Sequence, residues 1–394
     1  MFNGDMGSSS LPERVLGVVR NVISEKKGHV GLHEPSFKGR EEFYVIDCLK
    51  TGWVSSAGAY VDRFEELLTD YTGAKYAIAT SNGTSALHIA LLLAGVEEYD
   101  EVLMPSLTFI ATANSVSYCK ATPHFVDINL DGLGVDPGDL NSYLETIVEK
   151  RGDFSFNRQT GRRIRALVPV HVFGHPVDIF GLLKVCDRFN LVMVEDAAES
   201  LGSTYHGRHT GNFGLAAALS FNGNKIITTG GGGAILTNDP EIGKKAKHLT
   251  TTARVTRKWD FLHDAVGFNY RLPNINAALG CAQMEVLPDF LERKRQLATL
   301  YASAFSEEKD IRFISEPTGS QSNYWLNTIL LPDIKIKERN AILDALNFAG
   351  ITARPSWVPM HDLVMYSHCP KAPLPITQSI KNRLLNLPSS PSLI

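Results

Sequence analysis

The stretch Val192-Met193-Val194-Glu195-Asp196-Ala197-Ala198-Glu199 decides how this chain is read. An apolar run ends abruptly in carboxylates. Unbroken apolar character, without alternation, suits a strand covered by helices on both faces. A carboxylate at the end of such a strand lies where open α/β sheets bind ligands. Asp196 acting only as a cap for the following turn is the competing account.

The same texture repeats outward from this run. Ala77–Thr80, Glu101–Pro105, Pro123–Ile128, Ala166–Val172, Leu191–Glu195, Ala217–Phe221 and Gly233–Thr237 read as strands. Thr84–Ala94, Phe109–Cys119, Pro137–Glu149 and Ile179–Phe189 read as the helices between them. Such alternation predicts an α/β domain with a mostly parallel central sheet and helices on both faces. The polar segment Asp153–Arg163 reads as an exposed loop. From Asn274 to about Phe305 the pattern is one long helix or two joined ones. Beyond it, Tyr324–Leu331 as a strand and Lys337–Phe348 as a helix predict a smaller C-terminal α+β domain, with Gly350 suited to ending the helix. The expected organisation is an N-terminal helical arm over 1–40, a large α/β domain over 41–270, and the long helix with the small domain over 271–394.

Composition narrows the function classes. The 394 residues are 44% hydrophobic and 21% charged, ordinary for a globular protein. Lys and Arg number 39 against 42 Asp and Glu, a net charge of -3. That balance gives no reason to expect nucleic acid or an anionic membrane as partner. Cys48, Cys119, Cys186, Cys281 and Cys369 are scattered without metal or redox spacing, and His171 and His175 have no metal set around them, so no metal is expected. With no signal-peptide pattern and no apolar run of membrane-spanning length, the expectation is a cytoplasmic protein.

Four stretches carry candidate chemistry. Ser81-Asn82-Gly83-Thr84-Ser85-Ala86 opens a helix directly after a strand, where amides and hydroxyls could form an anion site; taken alone, an ordinary N-cap is the commoner explanation. Asp196 could face a pyridine nitrogen and keep it protonated. Ser220-Phe221-Asn222-Gly223-Asn224-Lys225 puts a lysine past a strand end, where it could form a Schiff base, although a lone lysine is usually a solvated surface charge. The glycines Gly230 to Gly233 follow, without the ending of a nucleotide P-loop. In Pro105-Ser106-Leu107-Thr108-Phe109 the aromatic could stack on a flat cofactor ring or simply pack in the core. Each is weak alone. Their order, phosphate turn, aromatic, carboxylate, then Ser and Lys, makes them one site.

At this point the sequence resembles the DegT-type sugar-nucleotide aminotransferases, a fold-type I pyridoxal-phosphate family. The resemblance runs through Thr51–Ser56, Ser81–Leu87, Pro105–Asn114, Glu195–Ser200, Ser220–Lys225 and Gly267–Ala278, and covers about His33 to Ser390. His33–Phe37, Tyr324–Leu330, Pro359–His361 and Asn386–Ser390 are most similar to its LegC-like branch. The resemblance implies pyridoxal 5'-phosphate as cofactor, with Lys225 holding it covalently and moving the proton. Asp196 would pair with the ring nitrogen, Glu199 would sit near the ring hydroxyl and Phe109 would stack on the ring. Gly83, Thr84 and Ser220 would hold the phosphate. Asn269 would reach the phosphate of a neighbouring subunit, which implies a homodimer with shared active sites.

The family aminates a ketone on a nucleotide-linked 6-deoxy sugar with L-glutamate as donor. The branch implies a UDP-linked 4-keto-6-deoxy-N-acetylhexosamine and a 4-amino product destined for surface polysaccharide or related glycans. Trp53, Arg354 and His361 are candidate sugar-site residues. Lys225 stands where a dehydratase offshoot carries histidine, which favours amine transfer. Three alternatives stay open: a pyridoxal-phosphate lyase, dehydratase or desulfurase, the last needing an activated thiol such as Cys281; a non-catalytic relative acting as a regulator; and a dehydrogenase, which the absence of Gly-x-Gly-x-x-Gly disfavours.

Overall fold

Successive residues of a strand face opposite sides of its sheet, and both sides are apolar here. Ile78, Met104, Ala166, Val194, Ala216, Ala218 and Ile235 enter one core with Leu87, Ile89 and Leu91. Their neighbours Ala77, Ala79, Ala217, Leu219, Ala234 and Leu236 enter a second core with Phe64, Ala278 and Leu287. This is why the strands read as continuous apolar runs. The computed structural model describes residues 10–23, 28–257 and 259–394.

The central sheet runs in the order Tyr76–Thr80, Gly233–Thr237, Ala216–Ser220, Val192–Asp196, Arg163–Leu167, Glu101–Pro105, Thr122–Val126. From Ala216–Ser220 onward all neighbours are parallel. Gly233–Thr237 is antiparallel to both of its neighbours. The sheet is therefore mixed but mostly parallel, as the alternation predicts, and helices cover both faces.

Three local differences from the sequence reading have physical causes. Ala166–Val172 is cut short at Leu167, because Pro169 has no N–H to continue the ladder. Asp153–Arg163 is not an exposed loop. Val148–Arg151 and Phe154–Asn157 form a hairpin on the sheet, and Ser155 and Asn157 are buried. The Asn157 amide donates to Glu101 Oε2 at 2.9 Å, so a polar-looking residue is anchored in the interior. The strand expected over Tyr324–Leu331 shrinks to Asn327–Leu330, since Tyr324 has a φ of 45°.

Asn274–Phe305 is one helix, about 48 Å long at 1.5 Å per residue. Its first half lies in the core with Phe64, while Leu297, Tyr301 and Phe305 lie in a third core. That core also holds Ile329, Ile342, Leu346 and Leu385 of the small unit, whose four-stranded sheet is antiparallel. Helix Ile336–Phe348 ends as expected, with Gly350 at φ 78° just past it. Helix Leu11–Val22 packs Val15 and Val19 into the same third core; residues 1–9 and 24–27 of the expected arm lie outside the described residues. Among the described residues no helix is long and apolar enough to cross a membrane, and no three His, Cys, Asp or Glu residues cluster as a metal site.

Candidate active site

The carboxyl ends of the parallel strands open into a cleft of about 540 Å³. Gly83, Thr84, Phe109, Asp196, Glu199, Ser220, Lys225 and Arg354 all line it. Sequence neighbours cannot explain this convergence. The sheet brings four separate strand ends to one edge.

Asp196 ends its strand with its side chain almost fully enclosed. Its Oδ2 accepts from Thr112 Oγ1 at 2.7 Å, and its Oδ1 from the Ala198 amide at 3.2 Å. Burial pushes this carboxyl above its ordinary range, partly offset by the Thr112 hydroxyl, the Ala198 amide and the Lys225 charge. Glu199 is likewise raised by burial, against the pull of Lys225 and the Phe173 amide. Its Oε2 accepts from that amide at 2.8 Å, and its Oε1 lies 3.3 Å from Lys225 Nζ. Two desolvated acids thus face one lysine. Such a site gains from a further cation between them.

The opposite wall is built for close approach. A Cβ on Gly83 would lie 2.8 Å from Ser220 Cβ and 3.2 Å from its Oγ, so glycine lets the helix start sit on the strand end. The Asn82 side chain accepts from the Ser85 amide at 2.8 Å, while the helix opens at Gly83. The first amides of a helix have no partner within it and favour an anion. Phe109 precedes helix Ile110–Tyr118 and is half exposed in the cleft, 6.4 Å from the Trp357 ring.

Glu195 works behind the site. It is fully buried and accepts from the amides of Gly211, Phe213 and Gly214 at 2.7, 2.8 and 2.9 Å. His171 Nε2 lies 3.2 Å away. Burial opposes ionisation, but His171 and these amides outweigh it and hold the carboxyl below its ordinary range.

Three expected residues lie outside the cleft of the single chain. His361 is enclosed away from the cleft lining. It is buried, with Nδ1 2.6 Å from Ser106 Oγ and Nε2 against Gln378, so both nitrogens are already used in packing. Trp53 is exposed, and its main-chain oxygen accepts from Asn274. Asn269 is also exposed, with its backbone bridged to Thr251.

Residues 35–394 match the DegT/DnrJ/EryC1/StrS aminotransferase family. The chain belongs to that family. A GDP-perosamine synthase of Escherichia coli O157:H7 is 35% identical over 367 residues, covering 93% of this chain and 94% of that one. EpsN of Bacillus subtilis, whose name marks it as a provisionally assigned pyridoxal phosphate-dependent aminotransferase, is 37% identical over 343 residues, covering 86% and 85%. The structure is similar to that of Helicobacter pylori PseC, an aminotransferase involved in the biosynthesis of pseudoaminic acid, with a TM-score of 0.82 at 26% identity over 91% and 93% of the two chains.

This DegT-family chain is a pyridoxal-phosphate-dependent sugar aminotransferase. Its residues fit the cofactor. The enclosed Asp196 and Glu199 suit a protonated ring and its hydroxyl. The Gly83 and Ser220 corner suits a phosphate, and Lys225 lines the same cleft. The rival thiol chemistry finds no support, because burial pushes the Cys281 thiol up to about 12.

Several cleft residues escaped the sequence reading. Thr112 sits inside the Pro105–Asn114 stretch, but a threonine on a helix gives no sign that its hydroxyl reaches Asp196. Trp325, Trp357 and Asn386 also line the cleft. Trp325 and Asn386 belong to stretches that carried the resemblance, yet only the fold brings the small unit against Lys225.

Proposed function

We propose that the enzyme transfers the amino group of L-glutamate to the ketone of a nucleotide-linked 4-keto-6-deoxy sugar, giving the 4-amino sugar. The observation that carries this reading is the convergence of Asp196, Glu199 and Lys225 on one cleft with the phosphate-type corner of Gly83, Thr84 and Ser220.

When bound, pyridoxal phosphate supplies an electron sink for the carbon that loses a proton. Lys225 then acts as general base and general acid, taking the proton from one carbon and returning it to another. Asp196 would hold the ring nitrogen in its protonated form, and its enclosure would strengthen that interaction. Glu199, held by the Phe173 amide, orients the lysine and would sit near the ring hydroxyl. Phe109, half exposed in the cleft, would stack on the ring. Arg354, exposed at the cleft, meets the anionic groups of donor and acceptor in turn.

The reading includes a homodimer. Phe43, Ile46, Leu49, Trp53 and Val54 expose apolar surface along helix Glu41–Thr51 and just past it, more than a soluble monomer usually leaves in one strip. With this strip paired, Trp53 and Asn269 would serve the partner's cleft.

The branch resemblance favours UDP-4-keto-6-deoxy-N-acetylhexosamine as acceptor. A second reading, a GDP-linked acceptor, is favoured by the identity with GDP-perosamine synthase. Incubation with 15N-labelled L-glutamate and each acceptor separately, followed by mass spectrometry, tests both. Label in the UDP sugar supports the first reading and label in the GDP sugar alone the second. Label in neither contradicts the proposed reaction.

A further inference from the structure

Lys225 lines the cleft, and something other than a carboxylate holds one side of it. Its Nζ lies 3.7 Å from the centroid of the Trp325 ring, on the face of the indole. Glu199 Oε1 is 3.3 Å away. Trp325 is only 4% exposed.

Trp325 is held through its indole nitrogen, its main-chain amide and its main-chain carbonyl. Its Nε1 donates to the main-chain oxygen of Asn224 at 2.6 Å, the residue just before the lysine. Its own amide donates to Asn323 Oδ1 at 2.8 Å. The same Asn323 side chain donates to the main-chain oxygens of Glu199 and Leu201, both at 2.9 Å. The carbonyl of Trp325 accepts from Lys294 Nζ at 3.2 Å. Lys294 is fully buried, and its other bond goes to the Ser389 carbonyl. A buried lysine spent on two main-chain carbonyls is costly to the fold. Here it anchors the segment that presents the indole.

We propose that Trp325 is a positioning residue that holds the Lys225 side chain, in its ammonium form, on the path between the two carbons that exchange a proton. The inference rests on the proposed transfer from glutamate. In that transfer the C–H bond of the donor carbon breaks and its electron pair stays with the carbon framework. The lone pair of Nζ takes the proton, and the resulting ammonium later gives it up at the second carbon. During that interval the amine is free of any covalent tether and carries a full charge in an enclosed site. An aromatic face stabilises such a charge without forming a bond strong enough to trap the proton, as a second carboxylate would.

The test uses the holoenzyme in single turnovers with L-glutamate, protonated or deuterated at its α-carbon. Trp325→Leu should slow the deprotonation step roughly tenfold, within the span of a desolvated cation–π contact, and raise the deuterium isotope effect. The glutamate concentration for half-saturation should stay unchanged. Trp325→Phe keeps an aromatic face and should recover to within about threefold of the wild-type rate. A Leu variant with wild-type rate and isotope effect would overturn the proposal, as would a Phe variant as slow as the Leu one. A second readout needs no reaction. In cofactor-free protein carrying 5-fluorotryptophan, the fluorine resonance that Trp325→Phe removes should move on Lys225→Met, and an unmoved resonance contradicts the contact. If the wild-type holoenzyme shows no single turnover with L-glutamate, the proposed donor is wrong, and the fluorine resonance alone still decides whether the indole holds the lysine.

Discussion

Asp196 concentrates the energetics of the site in one side chain. Its carboxyl is raised above the ordinary value of 3.8, first by burial. Stability linked to a raised acid is present below the unfolded value and lost as pH rises through the folded one. The cofactor-free protein therefore carries a penalty that grows as the pH rises above the ordinary carboxylate value. Asp196→Asn should raise its melting temperature at pH 7, with the difference closing as the pH falls towards 3.8; thermal melts across that range check it. The same variant with cofactor bound should turn over roughly 10²-fold more slowly or worse, because a preorganised charge partner is gone. Lys225→Ala should abolish turnover while leaving the fold and the wild-type assembly state intact, as steady-state assay and gel filtration would register. Lys225, Asp196 and Ser220 were legible as a set because their order and strand-end spacing survive in one dimension. Thr112 and Trp325 were not, since a hydroxyl on a helix and an indole in a distant unit acquire meaning only from the neighbours that the fold supplies.

At the scale of elements, glycine decides how closely the phosphate corner can close. A Cβ on Gly233 would lie 2.5 Å from the carbonyl carbon of Asn82 and 2.6 Å from the Gly83 nitrogen, both backbone atoms that cannot swing aside. Gly233→Ala should cost about 1–3 kcal/mol, the usual range for overpacking, read from urea melts of the cofactor-free protein. It should also speed cofactor dissociation, because the displaced turn is the one that opens at Gly83. Glu195 acts on the loop beyond its strand through three amides. Its carboxyl is held down, so its contribution is present above the ordinary carboxylate range and lost as acid protonates it. The sequence made the glycine run visible as a place of close approach without saying which glycine needs it. It misread Asp153–Arg163, because polarity there serves buried hydrogen bonds of Ser155 and Asn157 rather than solvent.

At the scale of the whole molecule, the parallel strands and helices were readable from alternation, whereas the docking of the small unit on the cleft was not. Leu297, Tyr301 and Phe305 at the far end of the long helix look like any apolar helix face until Leu11–Val22 and Ile336–Phe348 close over them. The proposed dimer has a direct test at this scale. Leu49→Glu, on the exposed strip, should shift the protein towards monomers in sedimentation and reduce activity with them. Mixing Lys225→Ala chains with Asn269→Asp chains should restore part of the activity each lacks, if each cleft takes its lysine from one copy and its asparagine from the other. The central claim, amino transfer through a lysine-held cofactor, is tested most directly by the visible absorption of the purified holoenzyme before and after L-glutamate. The account predicts a band that fades with glutamate, returns on adding a 2-oxo acid, and has no counterpart in Lys225→Ala. A band that glutamate leaves untouched, or one that persists unchanged in Lys225→Ala, would contradict it.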